Sequence, residues 1–389
     1  MLTKLLMRIT AAAAVLTLAA CSTVEKPQKE KPALPGVSFE QTDFDRLPAV
    51  DGDSWAGALA AFQRACGAMK NDVHWQGVCR AALETDALGA QRFFLSSFTP
   101  WRVITQNDRG EDTDTGLMTG YYEPLLRGSL TRKAPFEHPI YGVPDDLLVI
   151  DLAELYPKLK GMRLRGKLEG RRIVPYDTRA EIDRRNDMDR WALAWVDDPV
   201  AAFFLQIQGS GRILLDDGSH LRVGYADQNG HPYRAVGGWL VSRGYLQRHE
   251  LSMQRIQAWA RTNPQRVSEL LEQNPSFVFF EKRGGSPDEG PIGAQGVPLT
   301  PGSSVAADHR YWRMGTPFIV TADQKNPDLH FVRPVIAQDT GGAIRGAIRF
   351  DYFWGFGDRA GESAGRQKSE ARAWILVPQG LTPDDIRAR

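Results

Sequence analysis

Cysteine is scarce in this 389-residue chain: there are three, Cys21, Cys66 and Cys79. Three thiols cannot build a disulfide-dense scaffold, and their spacing matches no zinc site. Net charge is nearly absent too, +1 at pH 7 from 48 basic and 47 acidic residues. Such a balance leaves no electrostatic footprint for nucleic acid, so no nucleic-acid partner is expected. No apolar run reaches the ~20 residues of a membrane-crossing helix. His-Glu-x-x-His is missing, as are a P-loop and a dinucleotide fingerprint following a strand. Gly209-Ser210-Gly211 lacks the five-residue nucleophile elbow, which leaves serine-hydrolase chemistry without its residues. No metal or other cofactor is expected.

What is present is an ordinary globular composition, 24% charged and 42% apolar, with length for one large domain or two. Lys4 and Arg8 precede a short apolar stretch, Ile9 to Ala20, and together they read as a secretory signal over residues 1–20. The stretch ends Leu18-Ala19-Ala20-Cys21, which resembles a bacterial lipobox. That resemblance implies cleavage before Cys21 and lipidation of its thiol, and Ser22 resembles the outer-membrane sorting rule. Several acyl chains together anchor a protein far better than one. Residues 22–45, rich in Pro, Lys and Glu, read as a flexible tether, so 21–45 is taken as the lipidated cysteine plus linker. An exported chain lives where disulfides persist. Cys66 and Cys79 are therefore either a bridge closing a short loop, which we favour, or two buried thiols.

From Trp55 to Phe98 the apolar spacing is helical (Trp55, Leu59, Phe62, Ala65, Val78, Ala82, Phe93), giving two or three helices, the first capped by Asp53 or Ser54. Strands are expected at Trp101–Ile104 and Gly116–Tyr122, the second ended by Pro124. Residues 139–190 look irregular, with repeated basic residues and prolines. Val200–Leu215 reads as a strand carrying Gln206 and Gln208, interrupted by Gly209-Ser210-Gly211, with a hairpin continuing to Tyr225. Helical spacing returns from Tyr233 to Leu271. After Asn274-Pro275, six short strands (277–280, 297–300, 317–320, 331–337, 347–355 and 373–378) without helices between them argue for a small closed barrel. The fold class is thus mainly β with some α.

The chemistry concentrates in residues 335–365, where Asp339, Asp351 and Asp358 stand among glycines and the aromatics Tyr352, Phe353 and Trp354. Carboxyls set against aromatic rings are desolvated, which raises their pKa toward what a general acid needs. Asp and Gly are also ordinary turn residues. Asp339-Thr340-Gly341 mimics an aspartic-protease signature, but that chemistry needs two such aspartates sharing a proton, and the chain has one. Carbohydrate cleavage fits better, because it requires one acid plus aromatic and amide groups to hold sugars. Tyr121, Tyr122, Gln206 and Gln208 are candidate contacts of that kind. His231 has no Ser or Cys partner constellation and reads as a turn residue.

Five segments carry a resemblance to a known family. They are Thr119-Gly120-Tyr121-Tyr122-Glu123-Pro124; Phe204-Leu205-Gln206-Ile207-Gln208-Gly209-Ser210-Gly211; Val223-Gly224-Tyr225 with Asn229-Gly230-His231-Pro232-Tyr233; Asn274-Pro275-Ser276-Phe277-Val278-Phe279-Phe280; and the three-aspartate stretch. In this order they resemble the membrane-bound lytic murein transglycosylase A family over nearly the whole mature chain. The resemblance implies a double-psi β-barrel domain over 46–124 and 236–389, an inserted β-rich domain over 125–235, and a glycan groove between them. It implies cleavage of the bond between N-acetylmuramic acid and N-acetylglucosamine with a 1,6-anhydro product. By similarity Asp351 is the acid and base and Asp339 its electrostatic neighbour. Tyr121, Tyr122, Glu123, Gln206, Gln208, Phe353, Trp354 and Asp358 line the substrate path, Asp358 serving equally well as scaffold. Peptidoglycan strands, the outer membrane through the lipid anchor on its periplasmic side, and cell-wall synthases are the implied partners. A non-catalytic peptidoglycan-binding lipoprotein is the alternative.

Overall fold

Apolar residues at helical spacing between Trp55 and Phe98 form three helices, Ser54–Met69, Gln76–Leu83 and Ala90–Ser97. Their shared face buries Trp55, Leu59, Phe62 and Phe94, with Phe62 edge-on to Phe98 at 5.6 Å between centroids. Cys66 and Cys79 are joined by a disulfide that ties the first of these helices to the second. Asp53 holds the cap position but accepts no capping hydrogen bond; Ser54 donates to the Asp51 carbonyl instead. This computed structural model describes residues 36–387, apart from 108, 160, 161, 163 and 286–288. The signal segment, Cys21 and the tether up to residue 35 lie outside the described residues. Among those described, no helix is long and apolar enough to cross a membrane.

The helices rest on a closed circuit of six strands. Gly116–Glu123 pairs with Arg349–Phe356, which pairs with Ser304–Ala307, then Asp328–Asp339, Pro317–Lys325 and Lys368–Pro378, and this last strand pairs back to the first. Two of the six pairings are parallel, Gly116–Glu123 with Arg349–Phe356 and Ser304–Ala307 with Asp328–Asp339. Strand Phe98–Gln106 adds to the outside of the circuit and carries Val37–Gln41 and Asp112–Thr113. Pro317–Ala322 is buried at every position, because one strand face fills the barrel while the other is covered. Its apolar run is continuous for that reason rather than alternating.

A second sheet orders the strands Val278–Arg283, His220–Gln228, Ser210–Leu215, Leu125–Ser129, Ala192–Val196 and His138–Tyr141 around Leu126, Val196, Leu205, Ile213, Val223 and Phe280. Only Pro124 separates the barrel strand ending at Glu123 from the second-sheet strand beginning at Leu125.

Four sequence expectations are corrected. Residues 200–215 are not one interrupted strand but a helix, Pro199–Gln208, followed by a strand. The helix is set up locally: the Asp198 side chain accepts the N–H groups of Val200 and Ala201, Pro199 occupies the first turn, and Gly209 closes the end at φ 80°. Six strands do close the barrel, but not the six expected. Residues 278–283 belong to the second sheet, 297–300 form only an isolated bridge at Pro298, and Ser304–Ala307 and Gly116–Glu123 take the two places. A helix, Gly357–Arg366, also falls between the last two barrel strands. Finally, residues 139–190 are less irregular than their prolines suggest, holding a three-stranded sheet of Leu148–Val149, Arg165–Glu169 and Arg172–Pro175.

Candidate active site

Sheet register places the chemistry. Ala306 is in register with Asp339 on one side and with Asp351 on the other, and Asp351 in turn with Thr119. A bulge between Val305 and Ala306 sets the pairing with Asp339, and the four residues then lie side by side across four strands. At ~4.8 Å per strand, the two aspartate Cα atoms stand roughly 10 Å apart. The small Ala306 side chain between them leaves the two carboxyls facing open space. Both line a cavity of about 840 Å³ shared between barrel and second sheet.

Thr119 Oγ1 donates to Asp351 Oδ1 at 2.6 Å. Burial pushes the Asp351 carboxyl up to about 6, helped by the charge of Asp339 and opposed by the Thr119 hydrogen bond and by Arg349. Tyr121 donates to Asp339 Oδ2 at 3.1 Å, and the Ala294 N–H reaches Asp339 Oδ1 at 3.0 Å. Burial raises the Asp339 carboxyl as well, against those hydrogen bonds. The Tyr121 hydroxyl is driven well up, first by burial and then by both aspartates, so it remains a donor. Its ring packs on Phe353 at 5.2 Å.

The other expected residues divide into two groups. Glu123, Gln206 and Gln208 line the cavity with Tyr121. Glu123 is almost fully buried and paired with Arg212 at 2.8 Å, so it acts on the wall more than on a ligand. Burial raises its carboxyl, while Arg212 holds it down. Four residues are not brought to the cavity, against expectation. Tyr122 is buried against Gly361 and Ala364, because residues alternate along its strand and Tyr121 takes the cavity side. Phe353 is fully buried as the platform under Tyr121. The Trp354 indole donates to Gln367 Oε1 at 2.7 Å and lies so close to Gly120 that a Cβ there would be 2.6 Å away. Asp358 is exposed in the first turn of helix Gly357–Arg366, not in a turn beside the aspartate pair. His231 contacts the Tyr176 carbonyl at 2.7 Å, as a structural residue does.

Sequence reasoning missed Arg179, Asn274 and Thr119. Arg179 sits in a basic, proline-rich stretch with no periodicity to single it out. Asn274 was legible only as a helix stop, and Thr119 only as the start of an aromatic motif. Among the described residues, no group of three His, Cys, Asp or Glu is placed to hold a metal ion.

Comparison with known proteins places these features in context. The family described as MltA specific insert domain matches residues 117–281, and the 3D domain matches 303–377. Membrane-bound lytic murein transglycosylase A of Escherichia coli (strain K12) is 36% identical over 265 residues, 66% of this chain. That alignment spans 64% of the relative's length. The crystal structure of MltA from Neisseria gonorrhoeae matches with a TM-score of 0.78 at 36% identity, covering 90% of this chain and 93% of that one. A structure of E. coli MltA with bound chitohexaose matches with a TM-score of 0.67 at 28% identity, covering 87% and 93%.

Proposed function

The chain belongs to the membrane-bound lytic murein transglycosylase A family, and on that premise we propose that it is a peptidoglycan lytic transglycosylase with Asp351 as its acid and base. The observation that carries this reading is a desolvated carboxyl, raised to about 6, on the wall of a cavity large enough for several sugar rings. A group titrating there is protonated in a useful fraction near neutral pH and can still act as a base once it has given up its proton.

The reaction balances without water. Asp351 donates its proton to the oxygen bridging muramyl C1 and glucosaminyl C4, and that bond breaks. The muramyl C6 hydroxyl closes on C1, and the Asp351 carboxylate takes its proton. Product leaves with a 1,6-anhydro end, and Asp351 is restored. The attacking hydroxyl belongs to the substrate, so its entropy of approach is already spent and no nucleophilic carboxylate is needed. Asp339 is the electrostatic neighbour: fixed by Tyr121 and the Ala294 N–H, it favours the protonated form of Asp351.

The chitohexaose bound to the E. coli relative supports a glycan occupant. The closed six-strand circuit with two parallel pairings supports a double-psi barrel. An inserted domain is part of the same proposal, and strand Val278–Arg283 argues for extending it from near residue 125 to about residue 283 rather than 235. Names of relatives as membrane-bound favour membrane association. A lipid on Cys21, the periplasmic face of the outer membrane and cell-wall synthase partners complete the reading.

Digestion of purified sacculi followed by mass spectrometry of the released muropeptides tests it. Products 18 Da lighter than hydrolytic fragments support the transglycosylase, and reducing ends would indicate a hydrolase. Glycan binding without release would favour a non-catalytic binder, a reading for which Asp351 has no use.

A further inference from the structure

Four amide side chains line the cavity, and three of them, Gln206, Gln208 and Asn274, have their oxygen already occupied. Gln206 Oε1 accepts from the Arg179 guanidinium at 2.6 Å and from the Val278 N–H at 3.3 Å. Gln208 Oε1 accepts the Tyr122 N–H at 3.3 Å. Asn274 Oδ1 accepts the N–H groups of Arg234 and Ser276 at 3.0 and 3.2 Å. Because each of these neighbours can only donate, the amides cannot be flipped. Their NH₂ groups have no partner among the described residues and are not sealed from the cavity.

Arg179 is the unusual member of this wall. It is 4% exposed, yet no carboxylate lies within ion-pair distance of it among the described residues. Its guanidinium lies over the rings of Phe203 and Phe277, 4.8 Å from each centroid, and donates to the carbonyls of Asn274 and Ser276. A buried cation with no carboxylate in direct contact is expensive, and the charge of Asp183 offsets only part of that burial. Here it is held by π faces and carbonyls, and one of its N–H groups is committed to Gln206.

We infer that Arg179 is a positioning residue that sets specificity: by holding the Gln206 oxygen it turns the Gln206 NH₂ group, with those of Gln208 and Asn274, toward the cavity as donors for the acetamido carbonyls of an N-acetylated glycan. The inference rests on the glycan reading of the site and names what that site checks. An acetamido carbonyl is the strongest neutral acceptor on such a chain. A sugar lacking its acetyl group presents an ammonium instead, which at this part of the wall meets three amide donors and a nearby guanidinium, the cavity's carboxylates standing with Asp339, Asp351 and Glu123. The wall therefore rejects de-N-acetylated strands by charge as well as by unmade hydrogen bonds.

Isothermal titration calorimetry of the full chain with the hexamer of N-acetylglucosamine and with its fully de-N-acetylated counterpart tests this. The N-acetylated hexamer is expected to bind about tenfold to a hundredfold more tightly. Gln206→Glu keeps an acceptor for Arg179 but replaces the cavity-facing NH₂ by a carboxylate oxygen. Its melting temperature should hold, while its preference shifts toward the ammonium-bearing hexamer by about tenfold or more. Arg179→Lys should weaken the N-acetylated hexamer and shrink the ratio between the two, which a loss of packing alone does not do. Equal affinities for both hexamers in the wild type, or an unchanged ratio in Gln206→Glu, would overturn the inference. Binding of neither hexamer would overturn the glycan reading beneath it.

Discussion

Asp339 and Asp351 never pair with each other; each is in register with Ala306, from opposite sides of one strand. The relationship between the two carboxyls is thus written in backbone hydrogen bonds rather than in a side-chain contact. A one-residue slip of strand Arg349–Phe356 would turn Asp351 to the other face and Phe350 or Tyr352 into the cavity. Site geometry here is as secure as the barrel's register.

Asp351→Asn should reduce release of anhydro-muropeptides by at least about a thousandfold, since an amide neither gives nor takes the proton. The variant should still bind glycan, measured on the same preparation. Retained turnover would move the acid elsewhere.

The pH profile follows from the raised carboxyl. As the acid, Asp351 must begin protonated, so kcat/KM should fall as pH rises through about 6. Stability moves the same way. The folded carboxyl holds its proton up to about 6 and the ordinary one only to 3.8, so the contribution is complete below about pH 4 and lost as pH rises through 6. The upper bound is about 3 kcal/mol. Thermal melts should therefore show Asp351→Asn more stable than the wild type at pH 7.5 and nearly equal to it at pH 4.

Thr119→Val removes the hydroxyl that favours the charged form of Asp351 while keeping the side-chain shape. The carboxyl should rise further, and the alkaline fall of kcat/KM should move up by about one pH unit. Thr119→Ser should restore the wild-type profile; an unmoved limb in Thr119→Val would remove Thr119 from the site.

Replacing Cys66 and Cys79 together by Ser should lower stability by about 3 kcal/mol, the figure for a loop of this length. Neither residue lines the cavity, so activity at 25 °C should persist. Denaturant melts and a sacculus assay on one preparation separate the two effects.

The aspartate pair, the barrel and the helical N-terminal layer were legible because each has a local sign: carboxyls among aromatics and glycines, β-rich runs, helical spacing. Helix Pro199–Gln208 was not, because an almost wholly apolar segment has no periodicity to tell helix from strand. Its true signals were the Asp198-Pro199 start and the Gly209 stop. Tyr121 and Tyr122 look equivalent in sequence, and only pleat alternation sends one to Asp339 and the other into the packing around Gly361. Arg179 was invisible, since its role depends on residues almost 30 and 100 positions away.

Pro124 has a consequence for how firmly the two sheets are held to each other. The single residue between the two sheets has its φ fixed by its ring. Its carbonyl accepts the Arg212 N–H, and the Arg212 guanidinium grips Glu123 on one side and lies over Phe356 on the other. At this crossing the protein has almost no free joint. The spacing of the two sheets is therefore set at this point by covalent geometry and by the Arg212 clamp together, so the Glu123 wall of the cavity has no hinge beneath it.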